Sequence, residues 1–148
     1  MPPLAPYNVR LAYSYAPGIF PSMECLKHRP ALVRRLLLHS SAAGREGADK
    51  LRALARISGK ENCFAAAVFT KFQDALDPSK PHVVLHHPGD SGNLGTILRT
   101  ALGLGIEDVA LIRPCVDLFD PKTVRASMGS LFSPVSYTHL TLPTIYSV

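Results

Sequence analysis

His82-Val-Val-Leu-His-His-Pro-Gly-Asp-Ser-Gly-Asn-Leu-Gly-Thr-Ile-Leu-Arg-Thr-Ala-Leu-Gly-Leu-Gly-Ile-Glu-Asp-Val-Ala-Leu-Ile-Arg113 is the stretch whose reading decides the fold. Its opening run, residues 82–86, is short, apolar and β-branched, and so predicts a buried strand. Pro88 to Gly92 break that strand, and Asp90 or Ser91 is placed to cap a following helix. Leu94, Ile97, Leu98, Ala101 and Leu102 then recur at helical spacing on one face. Gly103 and Gly105 supply the stop. Residues 108–113 predict a second buried strand, and Lys122 to Ser127 the start of a second helix. Strand, glycine-rich turn, helix and strand at this length make a βαβ unit, whose crossover forces the two strands to run parallel. Asn93, Thr96 and Arg99 lie off the apolar face, three residues apart. Ligands of open parallel sheets bind at the carboxyl ends of the strands. An Asn in the first turn and an Arg two turns in suit an anionic or polyhydroxylated ligand there.

Length and composition frame the rest. With 148 residues and 47% apolar content the chain can fill one core, with room for a small additional domain. Its mean hydropathy is +0.12. No apolar run approaches the roughly 20 residues that span a bilayer. The amino-terminal residues lack the basic-then-apolar pattern of a secretory signal. Cys25, Cys63 and Cys115 are odd in number and widely separated. That pattern fits neither a disulfide framework nor a zinc knuckle, and a reducing cytoplasm is the expected setting. The net charge of +5 is uneven: residues 1–60 carry ten Lys/Arg against three acidic residues, and residues 61–148 carry six against eight. A basic region joined to a mildly acidic α/β unit points to a polyanion partner for the first part and chemistry in the second. A basic solvated surface without a partner is the alternative.

Earlier in the chain, residues 1–21 are proline-rich and aromatic, and are expected as an extended lead-in. Ser22 is expected to cap a short helix from Met23 to Arg29, ended by Pro30. Val33 to His39 is expected as a strand, Ala48 to Ile57 as a short helix, Gly59 to Asn62 as a turn and Cys63 to Phe72 as a strand. Residues 73–80 read as the linker to the βαβ unit. Arg29, Arg34, Arg35, Arg45, Lys50, Arg52, Arg56 and Lys60 form a basic stripe. Adjacent His86 and His87 on a strand should point to opposite faces, which argues against a metal site. Asp117 and Asp120 are better read as loop-capping carboxylates than as an acid–base couple.

Two linked blocks carry a family resemblance. Asn93-Leu-Gly95-Thr-Ile-Leu-Arg99-Thr-Ala, followed by Asp120-Pro-Lys-Thr-Val-Arg125-Ala-Ser127-Met-Gly129, resembles the SpoU (TrmH-like) RNA methyltransferases of the SPOUT superfamily in order and spacing. The resemblance implies the first half of an α/β-knot fold over residues 81–134, a Rossmann-like parallel sheet, preceded by a small α+β substrate-binding region over residues 1–80. It implies methyl transfer from S-adenosylmethionine to RNA (rRNA or tRNA, at a ribose 2′-hydroxyl) by a homodimer. On this basis Arg99 is expected to be the catalytic arginine, and Asn93 to orient the ribose or fix the loop. Gly95 is expected to let the backbone approach the substrate closely, Arg125 and Ser127 to meet the substrate or the dimer partner (capping and packing at a helix start being the alternative), and Arg34 and Arg35 to belong to the RNA-gripping region. The family's later signatures, a Gly-Glu turn and a Ser-Leu-Asn segment that bind the cofactor, do not occur in this sequence, so no cofactor-binding residue is carried over.

Residues 135–148 lack any charged side chain and resemble a translated sequencing adapter. They are expected to be a non-native tail on a truncated copy, which would be inactive and marginally folded. Two further readings stand beside the enzyme. A Rossmann-like nucleotide-binding module is hinted at by Gly89, Gly92 and Gly95, although the spacing is not G-x-G-x-x-G. A non-catalytic RNA-binding protein is the other.

Overall fold

The computed structural model describes residues 4–38 and 63–133, together with the backbone of 136–140. Two three-stranded sheets organise it, and they differ in kind. The first is antiparallel and is built from β1 (Tyr13–Pro17), β2 (Val33–Leu38) and β3 (Ala65–Thr70), with β3 in the middle. The second is parallel, in the order β4 (His82–His86), β5 (Asp108–Ile112) and β6 (Ser136–Leu140). Helix α1 (Ile19–His28) packs on the first sheet. Helix α2 (Ser91–Gly103) makes the crossover from β4 to β5, and the short α3 (Pro121–Ala126) packs against α2 and β1.

The βαβ unit follows its sequence closely. The Asp90 carboxylate accepts from the Asn93 amide at 2.7 Å, so Asp90 rather than Ser91 caps α2. The helix ends at Gly103, and Gly105 takes a positive φ of 75° in the turn that follows. Leu94, Leu98 and Ala101 are buried, whereas Ile97, expected on the same face, is exposed. Strand β5 is buried along its whole length because it lies between β4 and β6, whereas β4, also expected to be buried, lies at the sheet's edge and alternates between half-buried and exposed residues. The second helix is not the beginning of a long one. Asp120 caps it through the Lys122 amide at 2.8 Å, and six residues later it gives way to a tight turn in which Met128 and Gly129 both take positive φ.

The amino-terminal region departs more from expectation. Residues 13–17, read as an extended lead-in, form β1, because they find partners 49 to 57 positions away on β3: Tyr13 opposite Thr70, Tyr15 opposite Val68, Ala16 opposite Ala67 and Pro17 opposite Ala66. The helix begins at Ile19, four residues before the expected start, and Ser22 lies inside it. There the buried hydroxyl donates to the Ala16 carbonyl at 2.9 Å and accepts from the Ala67 amide at 3.0 Å, tying α1 to β1 and β3. The expected helix 48–57, the turn 59–62, and Arg45, Lys50, Arg52, Arg56 and Lys60 lie outside the described residues.

Strand β3 is buried on both faces, and its alternation assigns each face a different cluster. Ala67 and Phe69 face a core that also holds Leu94 and Leu98 of α2, Val109 and Leu111 of β5, and Leu118, Phe119, Val124, Leu131 and Phe132. Ala66 and Val68 face Tyr15, Leu37 and Cys63, closed by Leu4, Tyr7 and Tyr13. The Phe69 ring meets Phe132 edge-on with centroids 4.8 Å apart, a favourable aromatic geometry. The two sheets therefore share one apolar core.

Of residues 135–148, expected as an appended tail, 136–140 form β6, aligned in parallel with β5 from Ser136 opposite Asp108 to Leu140 opposite Ile112. A ladder of backbone hydrogen bonds places little demand on side-chain identity, so this pairing is compatible with either origin of the segment. No helix among the described residues is long and apolar enough to cross a membrane.

Candidate functional site

The carboxyl ends of β4 and β5 lead into two loops that are joined to each other. The Val116 amide donates to the Pro88 carbonyl at 2.9 Å, and the His87 amide donates to the Ile112 carbonyl at 3.3 Å. A His87 ring nitrogen lies 2.9 Å from the Arg113 carbonyl. His86 and His87 do not point to opposite faces as strand geometry predicts. His87 leaves the strand with a φ of 50°, and the two rings stack with centroids 3.8 Å apart.

From this joined edge α2 departs, presenting Asn93, Thr96 and Arg99 to solvent. The Thr96 hydroxyl donates to the Gly92 carbonyl at 2.9 Å and so is engaged within its own helix. The Arg99 side chain makes no hydrogen bond or ion pair with a described residue, which leaves its guanidinium available to a ligand. Beneath this face α2 meets α3 at Gly95. A Cβ there would lie 2.6 Å from the Ala126 Cβ, and 2.7 Å from both the Ser127 amide nitrogen and the Thr123 carbonyl oxygen. Only glycine permits that approach. Gly95, expected at the substrate, is instead buried in a helix–helix contact that locks the two sequence blocks together.

Ser127 is likewise fully buried. Its hydroxyl donates to the Val124 carbonyl at 2.8 Å and accepts from the Gly129 amide at 3.2 Å, so it shapes the turn after α3 rather than reaching toward a ligand. Arg125 is half-buried in the last turn of α3, beside the helix's carboxyl end, where a cation is favoured. Gly129 follows with a φ of 81°, and a Cβ there would come within 2.9 Å of Pro21 and Glu24, so α1 packs directly on this turn. Arg34 and Arg35 stand elsewhere, on β2 in the antiparallel sheet. The Arg34 Nε donates to the Thr70 hydroxyl at 2.8 Å, with its guanidinium 5.3 Å from the Tyr13 ring centroid.

Asp117 and Asp120 are loop-capping carboxylates, but Asp117 does more. Its Oδ1 accepts from the Phe119 amide at 2.9 Å, and its Oδ2 accepts from the Tyr7 hydroxyl and from the Lys71 ammonium, the latter at 3.3 Å. Lys71 also donates to the Val9 carbonyl at 2.9 Å and lies 4.9 Å from the Tyr7 ring centroid. Burial, reinforced by the Asp117 acceptor and its charge, pushes the Tyr7 hydroxyl far above its ordinary pKa, so it remains a donor. This cluster joins the amino-terminal residues, the end of β3 and the loop after β5. It borders a cavity of about 450 Å³ lined by Lys71, Phe72, Gln73, Arg113, Cys115, Val116 and neighbouring residues. Sequence reasoning passed over Lys71 and Arg113. Arg113, immediately beyond the end of β5, carried a positional signal, whereas Lys71 becomes visible only once β3 is placed beside β5.

A profile of the SpoU rRNA Methylase family matches residues 80–145, which include both blocks. An uncharacterised tRNA/rRNA methyltransferase of Synechocystis is 34% identical over 114 residues, covering 76% of this chain and 41% of the relative. A 23S rRNA uridine 2′-O-methyltransferase of Streptomyces viridochromogenes is 43% identical over 51 residues, covering 34% of this chain and 18% of the relative. In fold, the chain is similar to the SpoU methyltransferase AviRb of Streptomyces viridochromogenes, solved with AdoMet. The TM-score is 0.70 at 24% identity, covering 89% of this chain and 57% of that one. The chain thus spans under half the length of the curated relatives it matches and about half of the solved structures. Residues 80–145, which hold the Asn93–Arg99 and Asp120–Gly129 blocks locked together at Gly95, are thus similar to the SpoU rRNA methylase family.

Proposed function

We propose that the protein to which these residues belong transfers a methyl group from S-adenosylmethionine to a ribose 2′-hydroxyl of rRNA or tRNA. The observation that carries this reading is Arg99, exposed and without a protein partner among the described residues, on a helix held by Gly95 against the second family block. Bound S-adenosylmethionine would supply an electrophilic methyl group. The residues assigned by resemblance to its binding are not among these 148, so no residue here is given a role toward it.

The chain's own part concerns the ribose. A neutral hydroxyl is a poor nucleophile and must lose its proton during attack. A guanidinium, with a pKa of about 12.5–13.8, stays protonated and is poorly suited to be the base. Arg99 therefore holds the phosphate beside the ribose or stabilises the developing alkoxide, both tasks that use a fixed, delocalised positive charge. Asn93, in the first turn of the same helix, offers a side-chain amide to a ribose hydroxyl. Arg34 and Arg35 add positive charge on β2 for more distant RNA phosphates. The homodimeric assembly implied by the family resemblance belongs to the same proposal.

The test is nucleoside mass spectrometry of RNA treated with the full-length enzyme and S-adenosylmethionine. A 2′-O-methylated nucleoside is expected, and Arg99→Ala should lose it. A base-methylated product, or full activity in Arg99→Ala, would overturn the assignment. For the 148 residues alone, RNA binding without turnover is the expected behaviour.

A further inference from the structure

The cavity beyond the end of β5 has a composition that the methyl-transfer reading leaves unused. Its walls come from both sheets: Lys71, Phe72 and Gln73 follow β3, and Arg113 to Asp117 follow β5. At about 450 Å³ it falls within the range of small-ligand sites and has room for a mononucleotide. The charged groups around it can be counted. Lys71 and Asp117 neutralise each other at 3.3 Å, and the Tyr7 hydroxyl donates to the same carboxylate oxygen. Nearby, Arg29 is paired with Asp74 at 2.6 Å while lying over the Phe72 ring, and Asp120 accepts from the Lys122 amide. That leaves Arg113, which is exposed and whose guanidinium makes no hydrogen bond or ion pair with a described residue, as the uncompensated charge on the wall. Gln73, exposed on the β3 side, offers an amide that can both donate and accept. Between them Val116, Phe119 and Phe72 form an apolar floor.

A single forked cation, an apolar floor and one amide match a phosphate, a flat heterocycle and its polar edge. We propose that this cavity is a nucleotide subsite for the RNA strand, in which Arg113 binds the phosphate and Gln73 meets the base edge. The Lys71–Asp117–Tyr7 cluster is its positioning device. It clamps the loop after β5 to the antiparallel sheet, so the cavity exists only while the two sheets stay docked. The proposal rests on the RNA-methylation reading but concerns a different surface from the exposed face of α2. Through the Val116–Pro88 hydrogen bond, the occupied wall would touch the loop from which α2 starts.

Cys115 lines the cavity and is half-buried, whereas Cys25 and Cys63 are buried, so its alkylation by N-ethylmaleimide reports occupancy without reference to activity. The 148-residue chain would be alkylated in the presence of uridine 5′-monophosphate, uridine or inorganic phosphate, with modification at Cys115 followed by mass spectrometry. The monophosphate is expected to protect Cys115 at concentrations where uridine and phosphate alone protect far less. Arg113→Gln, at an exposed position that should not disturb folding, should raise the monophosphate concentration for half-protection about tenfold. Arg113→Glu should abolish protection. The proposal is overturned if the monophosphate leaves the alkylation rate unchanged, if phosphate alone protects equally well, or if Arg113→Gln protects like the parent chain. Loss of protection with ribose methylation intact in the full-length enzyme removes the cavity and leaves the activity. Absence of methylation with protection intact does the reverse.

Discussion

The two sheets were built under different constraints, and the contrast explains which parts of this protein can be read locally. In the parallel unit every boundary has a signal within a few residues of it: Asp90 caps α2, Gly103 and Gly105 end it, and Asp120 caps α3. In the antiparallel sheet the boundaries are set by partners far away in sequence. Tyr13-Ser-Tyr-Ala-Pro becomes a strand because Ala65–Thr70 lies beside it, and α1 starts at Ile19 because the Ser22 hydroxyl is claimed by β1 and β3. A βαβ crossover is a nearly self-contained unit, whereas the amino-terminal sheet closes loops of some fifty residues and is defined by closing them.

Arg99 separates chemistry from fold most sharply. In the full-length enzyme Arg99→Ala should lower turnover by about 100-fold or more, as loss of a charge-stabilising group does, while leaving the melting temperature unchanged. A drop in melting temperature would mean that Arg99 belongs to the fold rather than to the chemistry.

Next in size is the shared core. Phe69→Ala removes a fully buried ring that packs on Phe119 and Phe132 across the two sheets, and should destabilise the chain by about 3–5 kcal/mol. Because Phe69 serves both sheets, urea unfolding should remain a single transition in parent and variant. Two separate transitions would show that the sheets fold independently despite their common cluster.

Gly95→Ala isolates the parallel unit. The added methyl would stand 2.6 Å from the Ala126 Cβ with backbone on either side, so α3 must move away from α2, at a cost of about 1–3 kcal/mol. Thermal denaturation reads the loss. Near-parent stability would show that the helices separate easily and that the two blocks are not locked. Asp90→Ala removes only the cap of α2 and should cost about 1 kcal/mol, measured the same way.

The smallest effect is alkaline. Burial raises the Cys25 thiol from 9.0 to about 12, and the Tyr7 hydroxyl moves upward from 10.0 through burial and its Asp117 bond. For a raised pKa the folded-state advantage is complete below the unfolded value and disappears as pH climbs toward the folded one. Stability should therefore be flat through neutral pH and decline from about pH 9 upward, with Tyr7→Phe and Cys25→Ala each making the decline shallower. A decline that is unaltered in both variants would assign it to other groups.

Much of the candidate site was legible for the same reason as the parallel unit. Asn93 and Arg99 could be placed on an exposed helical face from their spacing alone, and the structure leaves both there. Gly95 and Ser127, expected at the substrate, serve the fold instead: the glycine makes way for α3 across a tertiary contact, and the serine hydroxyl is consumed by the turn that follows it. His86 and His87 stack rather than oppose each other because a single positive φ at His87 ends the strand alternation that would have separated them.

By itself the sequence determined the βαβ unit, its caps, its parallel sense and the family blocks it carries, because periodicity, capping and glycine stops act within one or two turns of chain. Only the tertiary structure decided that residues 13–17 are a strand, that β3 is buried on both faces, and that Lys71 meets Asp117 beside Arg113. Those outcomes depend on which distant segments exclude water together, and a local pattern carries no record of its eventual neighbours.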